Sequence, residues 1–230
     1  MQQRGIDVWC GMIVGFDHDD VSIFDVMPKF LAEARISAAL IGMLYAIPTT
    51  PLYDRLREAG RLNDAEASET YGTNVVPLGM SPAELRDGFA RVMQACYSTD
   101  QYFERLDAQF VNENFKFALH ALPYWQRRRW AWLKRSALSY VKFAAVAARL
   151  LRLDDAALRA RYRLQLLRIL RARWREPHIL FIYALKVSFH YHFAAIATAL
   201  RQVSEAKGAM PTAGRSFSRV KSRIEGQAAA

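Results

Sequence analysis

The chain has 230 residues, of which 52% are hydrophobic and 23% charged, so a disordered or collagen-like protein is excluded. Its net charge of +10 is uneven, because residues 121–230 hold 22 of the 32 basic residues but five of the 22 acidic ones. That half would attract nucleic acid, anionic lipid or an acidic partner.

Two cysteines, Cys10 and Cys96, cannot build a disulfide framework or a CxxC knuckle, and the first fifteen residues lack a secretory pattern. A cytoplasmic protein is expected.

The first sixty residues read as strand, helix, strand, helix. Gly5–Phe16 and Ile36–Ile47 are nearly unbroken apolar runs, typical of strands buried on both faces in a parallel sheet. Val21–Arg35 has helical spacing, and Pro51–Ala59 begins with proline and ends before Gly60. Two parallel strands cannot form a covered sheet, so we expect missing strands upstream of Met1 or from another chain.

These strands resemble the closing strands of the radical S-adenosylmethionine (radical SAM) barrel. The nearest subgroup is bacterial, with a cobalamin-binding domain before the barrel and a helical domain after it. In that family the fifth strand carries G-x-I-x-G-x-x-E, and the sixth ends in a P-G-T-P-L-like turn. Here His18 replaces the glutamate and Thr49 the turn glycine. The matching residues are Gly11, Ile13 and Gly15 in the first pattern, and Pro48, Thr50, Pro51 and Leu52 in the second.

The resemblance implies a position for the adenine ring of S-adenosylmethionine. Ile13 would pack on the ring, and the backbone of Leu44, Tyr45 and Ala46 would hydrogen-bond its edge. Gly11 and Gly15 would let the ring approach the strands closely. Glycines at strand ends suit such an approach, although they equally relieve crowding where helices pack on a sheet.

The cluster chemistry of that family is not encoded here. Radical SAM enzymes hold a [4Fe–4S] cluster with three closely spaced cysteines, whereas Cys10 and Cys96 lie far apart with no third cysteine. Both are expected to be core residues. The resemblance therefore implies a C-terminal fragment that is not catalytic alone. S-adenosylmethionine, a [4Fe–4S] cluster and often cobalamin belong to the intact family, and the expected partner is the missing barrel with its cobalamin-binding portion.

The remainder reads as helical, giving an α+β fold class: a truncated βαβα barrel segment followed by an all-helical domain. The predicted segments are 1–62, barrel strands and helices; 63–80, a linker; 81–207, helices; and 208–230, a disordered basic tail. Ser81, Pro82 and Glu84 form a strong helix start, a capping box with proline at the first position. Further helices are expected from about Thr99, over Tyr124–Leu153, and from a cap at Asp154 or Asp155.

The basic helices leave several interpretations open. A stripe of four arginines indicates a solvated face, contact with anionic membrane lipid or, without a recognisable motif, nucleic-acid binding. In the apolar stretch His178–Leu200, Lys186 argues against a membrane span, and His190 and His192 face apart and so cannot share a metal. The alternatives to the fragment are thus a basic membrane-surface adaptor, peripheral to the inner membrane, or a nucleic-acid module, which is disfavoured. The stripe comprises Arg161, Arg168, Arg171 and Arg175.

Overall fold

The computed structural model describes residues 5–63, 72–112, 115–116 and 122–208. It is mostly helical, with one small parallel sheet of two strands, in agreement with the α+β class. In chain order the elements are β1 (Trp9–Val14), α1 (Ile23–Glu33), β2 (Ala38–Met43), α2 (Pro51–Glu58), α3 (Pro82–Tyr97), α4 (Thr99–Asp107), a π-helical turn (Ala108–Asn112), α5 (Leu122–Gln126), α6 (Arg129–Leu150), α7 (Ala156–Arg173) and α8 (Pro177–Gly208).

The sheet pairs β1 with β2, and α1 is the crossover between them. Beyond the strand ends, the amide of Leu44 donates to the carbonyl of Val14 at 2.8 Å. The predicted order of elements is confirmed, but both strands are shorter than the apolar runs that predicted them. Burial on both faces is not met in this chain, because Trp9 and Ile13, two positions on one face of β1, are 45% and 49% exposed.

The described residues divide into two compact units. The first, here called the helical unit, contains the described parts of 1–10, 30–39 and 96–194. The second, the strand-end unit, contains those of 11–29, 40–95 and 195 onward. Each unit is made of several separate stretches of the chain, whereas the predicted barrel, linker and helical segments are continuous. The units therefore do not test the predicted boundaries, which remain predictions.

The strand-end unit has its core where the chain leaves β2. Leu44, Ala46, Leu56 and Val75 form a buried cluster, and Val75 also forms an antiparallel bridge with Leu62. The bridge joins the last residue of the predicted barrel segment to the predicted linker, of which residues 64–71 lie outside the described part of the chain. Val75 shows that the predicted linker contributes to the core, which its sequence did not predict.

Aromatic side chains dominate the core of the helical unit. Tyr102, Phe103 and Phe110 are all buried. His190 is also buried and bonds the Tyr162 hydroxyl through Nδ1 at 2.7 Å. His192 is exposed, so the two histidines do face apart.

Helix α8 buries the lysine that lies near its middle. Lys186 Nζ lies 2.8 Å from the Asp7 carboxylate and 3.0 Å from the Ser37 hydroxyl, with the rings of Trp9 and Phe110 beside it. Among the described residues, Pro177–Val203 is the one helical stretch long and apolar enough to cross a membrane, although 44% of an 18-residue apolar portion of it is buried inside the protein. The ion pair shows that Lys186 is accommodated by protein groups.

Helix starts follow the predicted capping residues. The Ser81 amide donates to the Glu84 carboxylate at 2.7 Å, and the Glu84 amide donates to the Ser81 hydroxyl at 3.2 Å, which confirms the capping box. Of the two aspartates considered for α7, Asp155 is the cap, accepting from the Leu158 amide at 3.0 Å. The predicted tail lies outside the described residues apart from Gly208.

Candidate functional site

The loop that follows β1 is held in shape by one aspartate. The Asp19 carboxylate accepts the amides of Gly15, at 2.9 Å, and Phe16, at 3.0 Å. Gly15 has φ of +100°, a conformation that favours glycine, and a Cβ there would lie 3.0 Å from the Leu85 side chain. Gly15 is thus needed for the turn and its packing on α3.

The other two acidic residues of this loop also have structural partners. Asp17 accepts from Arg61 at 2.8 Å and pairs with Arg55 at 3.4 Å, and the hydrogen bond from Arg61 holds the pKa of Asp17 below its usual range. Asp20 accepts the Ser22 amide at 2.8 Å. His18, at the position of the family glutamate, is exposed. Of the four polar residues, His18 is the one without a hydrogen bond among those described.

Two polar side chains fix the backbone that leaves β2. Asn74, which is 1% exposed, accepts the Ala46 amide at 2.8 Å and donates to the Ala46 carbonyl at 2.9 Å. The Thr73 hydroxyl donates to the Leu44 carbonyl, and the Leu44 amide donates to Val14. None of the hydrogen bonds of the described residues uses the backbone of Tyr45 between them. Within the segment of Leu44, Tyr45 and Ala46, Tyr45 is therefore the residue whose backbone groups have no partner among the described hydrogen bonds.

The sheet beside this segment has an open apolar face. Gly11 and Gly42 have nothing within 4 Å of where a Cβ would lie. Ile13, two residues after Gly11 on β1, is 49% exposed, and Leu40, two residues before Gly42 on β2, is 56% exposed. A flat ring could therefore lie against Ile13 without displacing a side chain.

The predicted site residues thus fall in one compact unit, in two groups. Gly11 and Ile13 line the open face of β1, whereas Gly15, Leu44 and Ala46 are buried and shape the strand ends. Tyr45 is half-buried between the latter two. Sequence reasoning missed Thr73, Asn74 and the role of Asp19, because no local pattern links a side chain to a strand end some 28 positions earlier. The available signal was the polar pair that comes directly before Val75 and Val76.

Neither cysteine has the environment of a reactive or cluster-binding thiol. Cys96 is buried, and burial raises the pKa of its thiol to about 11, while burial also raises the pKa of the half-buried Cys10. Among the described residues no three His, Cys, Asp or Glu side chains could hold a metal ion. The chain's two cysteines do not fit a [4Fe–4S] cluster, which needs more thiolates.

Comparison with known proteins gives a family match and two relatives. Residues 50–206 match the family described as "Domain of unknown function (DUF4070)". The hopanoid C-2 methylase of Rhodopseudomonas palustris (strain TIE-1) is 31% identical over 108 residues, 47% of this chain and 20% of that protein. The bacteriochlorophyllide d C-12(1)-methyltransferase of Chlorobaculum tepidum (strain ATCC 49652 / DSM 12025 / NBRC 103806 / TLS) is 23% identical over 100 residues, 44% of this chain and 22% of that protein. The chain thus matches about a fifth of the length of either relative. No solved structure matches it.

Proposed function

We propose that this chain, which belongs to the DUF4070 family, is the C-terminal part of a radical SAM methyltransferase and supplies one wall of its S-adenosylmethionine pocket. Two neighbouring features support the proposal. The sheet face at Ile13 is apolar and exposed, and the backbone amide and carbonyl of Tyr45 have no partner among the described hydrogen bonds. In α/β folds, ligands bind at the carboxyl ends of the strands, where both residues lie.

The two-stranded sheet supports a fragment of a larger barrel. A pair of parallel strands exposes one row of backbone groups on each side, and such edges ordinarily pair with further strands. Its exposed apolar residues, Ile13 and Leu40, would be covered in an intact barrel. In this proposal the upstream portion of the enzyme supplies those strands and the cysteines.

The residues present suit adenine in shape and in hydrogen-bonding pattern. Ile13 would contact the ring face, and Gly11 and Gly42 leave open space where side chains would otherwise lie. Tyr45 offers one amide donor and one carbonyl acceptor, which would complement an acceptor nitrogen and the exocyclic amino group of the adenine edge. Thr73 and Asn74 would hold that backbone in place through its neighbours, Leu44 and Ala46.

The chemistry of the bound group would come from outside this chain. With a cluster held upstream, S-adenosylmethionine would supply a radical or a methyl group. The part played by these residues is to bind and orient its adenosine moiety. No residue of this chain is assigned to the cluster or to cobalamin.

The proposal is tested by adding nucleosides to the 230-residue chain and monitoring their binding by NMR. S-adenosylhomocysteine should shift the Tyr45 amide and the Ile13 methyl signals, whereas its inosine analogue, with the donor and acceptor at the edge exchanged, should not. Ile13→Ser should weaken the shifts, and Leu78→Ser, at a 65% exposed residue of the same unit, is the matched control. Equal shifts with both nucleosides, or shifts unaffected by Ile13→Ser, would contradict the proposal.

A further inference from the structure

The helical unit contains a polar cavity, here called the α1–α4 cavity, between the end of α1 and helix α4 with the π-helical turn. Its volume is about 380 Å³, and cavities of about 300–1,000 Å³ are the usual size of small-molecule sites. All of its lining residues belong to the helical unit. Five of them are polar: Arg35, Gln101, Glu104, Arg105 and Asn112.

Arg105 is the buried member of this lining, and its hydrogen bonds are incomplete. The residue is 4% exposed. Its Nε donates to the carbonyl of Ile36 at 3.0 Å, and its Nη2 donates to the carbonyl of Cys96. Nη1 is buried and has no hydrogen-bond partner among the described residues. A buried donor without an acceptor is rare, because the water it lost has not been replaced. An acceptor bound in the cavity that Arg105 lines would complete its hydrogen bonds.

Other arginines of the helical unit have carboxylate partners. Arg173, which is 6% exposed, pairs with Glu176 at 2.6 Å. Arg168, in the stripe predicted on α7, pairs with Asp107 at 2.6 Å. Arg105 has no carboxylate partner among the described ion pairs, and burial lowers the pKa of its guanidinium. Arg105 is thus a buried cation whose counterion none of the described ion pairs supplies.

Arg35 follows α1 in a backbone conformation that favours glycine. Its φ is +53°, and the amide of Ile36 donates across the turn to the carbonyl of Leu31 at 3.0 Å. Helices commonly end with glycine at such a position, since a side chain there is strained. The same turn presents the Ile36 carbonyl to Arg105, so both arginines lie at the end of α1. Arg35 is exposed, which makes it accessible to a ligand that enters the cavity from solvent.

The charges of the lining indicate what kind of ligand it suits. Two arginines and Glu104 leave one net positive charge among the described lining residues. A guanidinium matches the planar geometry of a carboxylate, with which it forms two parallel hydrogen bonds. A doubly charged phosphate is less suited, because Glu104 would repel its second charge. The remaining lining residues, Ala32 and Ala108, are small and apolar, so they suit a short aliphatic group.

We propose that the α1–α4 cavity binds a small organic molecule through a single carboxylate group, which accepts hydrogen bonds from Arg35 and from Nη1 of Arg105. The side-chain amides of Gln101 and Asn112 offer further donors and acceptors to the rest of the ligand. The site lies in the helical unit, whereas the proposed adenine site lies in the strand-end unit. It requires neither a nucleoside nor an upstream barrel.

Titration of the 230-residue chain with butyrate, followed by NMR, tests the proposal. Butyrate should shift the Nε–H signal of Arg105 and the side-chain amide signals of Gln101 and Asn112 in a saturable way. Butyramide has nearly the same shape without the charge, so it should leave these signals unchanged at the same concentrations. Inorganic phosphate should bind more weakly than butyrate. The Tyr45 amide, in the other unit, should not move and serves as an internal control.

Variants of the lining separate its charges. Arg35→Gln should lower the affinity for butyrate at least about 10-fold, the usual effect of losing a charge-assisted hydrogen bond. The matched control is Arg171→Gln, which removes an exposed arginine outside the cavity and should leave the affinity unchanged. Glu104→Gln should tighten butyrate binding, because it removes a like charge. Arg105→Lys should weaken binding, and circular dichroism verifies that this variant of a buried residue keeps its helices. Arg35→Gln, at an exposed residue, tests the site even if Arg105→Lys does not fold.

Four results would overturn the proposal. Equal shifts with butyrate and butyramide would show that the cavity does not recognise the carboxylate charge. Full affinity of Arg35→Gln would place the binding elsewhere. Tighter binding of phosphate than of butyrate by the unmodified chain would assign the cavity to phosphate. Absence of saturable shifts with butyrate would leave the cavity without this ligand class, whatever the result of the nucleoside experiment.

Discussion

Acidification from pH 7 to pH 5 should destabilise the fold through His190. This residue is 0% exposed, and burial lowers the pKa of its imidazole from 6.5 to about 4. At a pH between these two pKa values, the imidazole of His190 is protonated in the unfolded state and neutral in the folded state. The free energy of unfolding must therefore fall as the pH is lowered through this window.

The size of the effect follows from the two pKa values. At pH 7 the imidazole of His190 is mostly neutral in both states, so it changes the free energy of unfolding little there. At pH 5 the unfolded imidazole is protonated and the folded one is not, which costs about 2 kcal/mol of stability relative to pH 7. Burial also lowers the pKa of His178, so part of the slope should survive without His190.

The assay is urea unfolding at several pH values, for the unmodified chain and for His190→Gln. Glutamine does not titrate and can still reach the Tyr162 hydroxyl, which His190 contacts at 2.7 Å. Between pH 7 and pH 5, the free energy of unfolding of His190→Gln should fall by about 2 kcal/mol less than that of the unmodified chain. His192→Gln, at an exposed position of the same helix, should keep the parental slope. Identical slopes for His190→Gln and the parent would refute the reasoning.

Two further predictions concern packing and charge. Gly88→Ala should destabilise by about 1–3 kcal/mol despite the better helix propensity of alanine. Its Cβ would lie 2.1 Å from the Phe24 ring, so Phe24→Leu should rescue part of the loss, and Gly42→Ala, at an open position, is the control. Lys186→Met should lower the free energy of unfolding by about 2–4 kcal/mol, because the Asp7 carboxylate loses its partner at 2.8 Å. Adding Asp7→Asn should recover part of that loss, and no recovery would show that the pair is not coupled.

Helix starts could be predicted from the sequence because they depend on neighbouring residues. Ser81 and Glu84 bond each other three positions apart, and Thr50 caps the helix that begins at Pro51. The strands were predicted too long for the opposite reason. A strand ends where its partner ends, and the apolar run from Gly5 contains no signal for that.

Part of the candidate site was equally accessible to sequence reasoning. The glycines and Ile13 stood out by their pattern, and the structure leaves that part of β1 open. The contacts that occupy the backbone on either side of Tyr45 could not be predicted, because Asn74 bonds Ala46 across 28 positions of chain. Likewise, the arginine stripe of α7 was visible as a pattern, but its neutralisation by Asp107 depends on a contact 61 positions away.

The exposed sheet face at Ile13 and Leu40 has features that indicate what could cover it. Glycines lie in the same two strands, and the backbone of Tyr45 at the end of β2 has no partner among the described hydrogen bonds, features that suit a flat, neutral ring. The edges of the two-stranded sheet instead suit further strands, because each edge leaves a row of backbone groups to be paired. We therefore expect a nucleoside on the face of the sheet and additional strands at its edges.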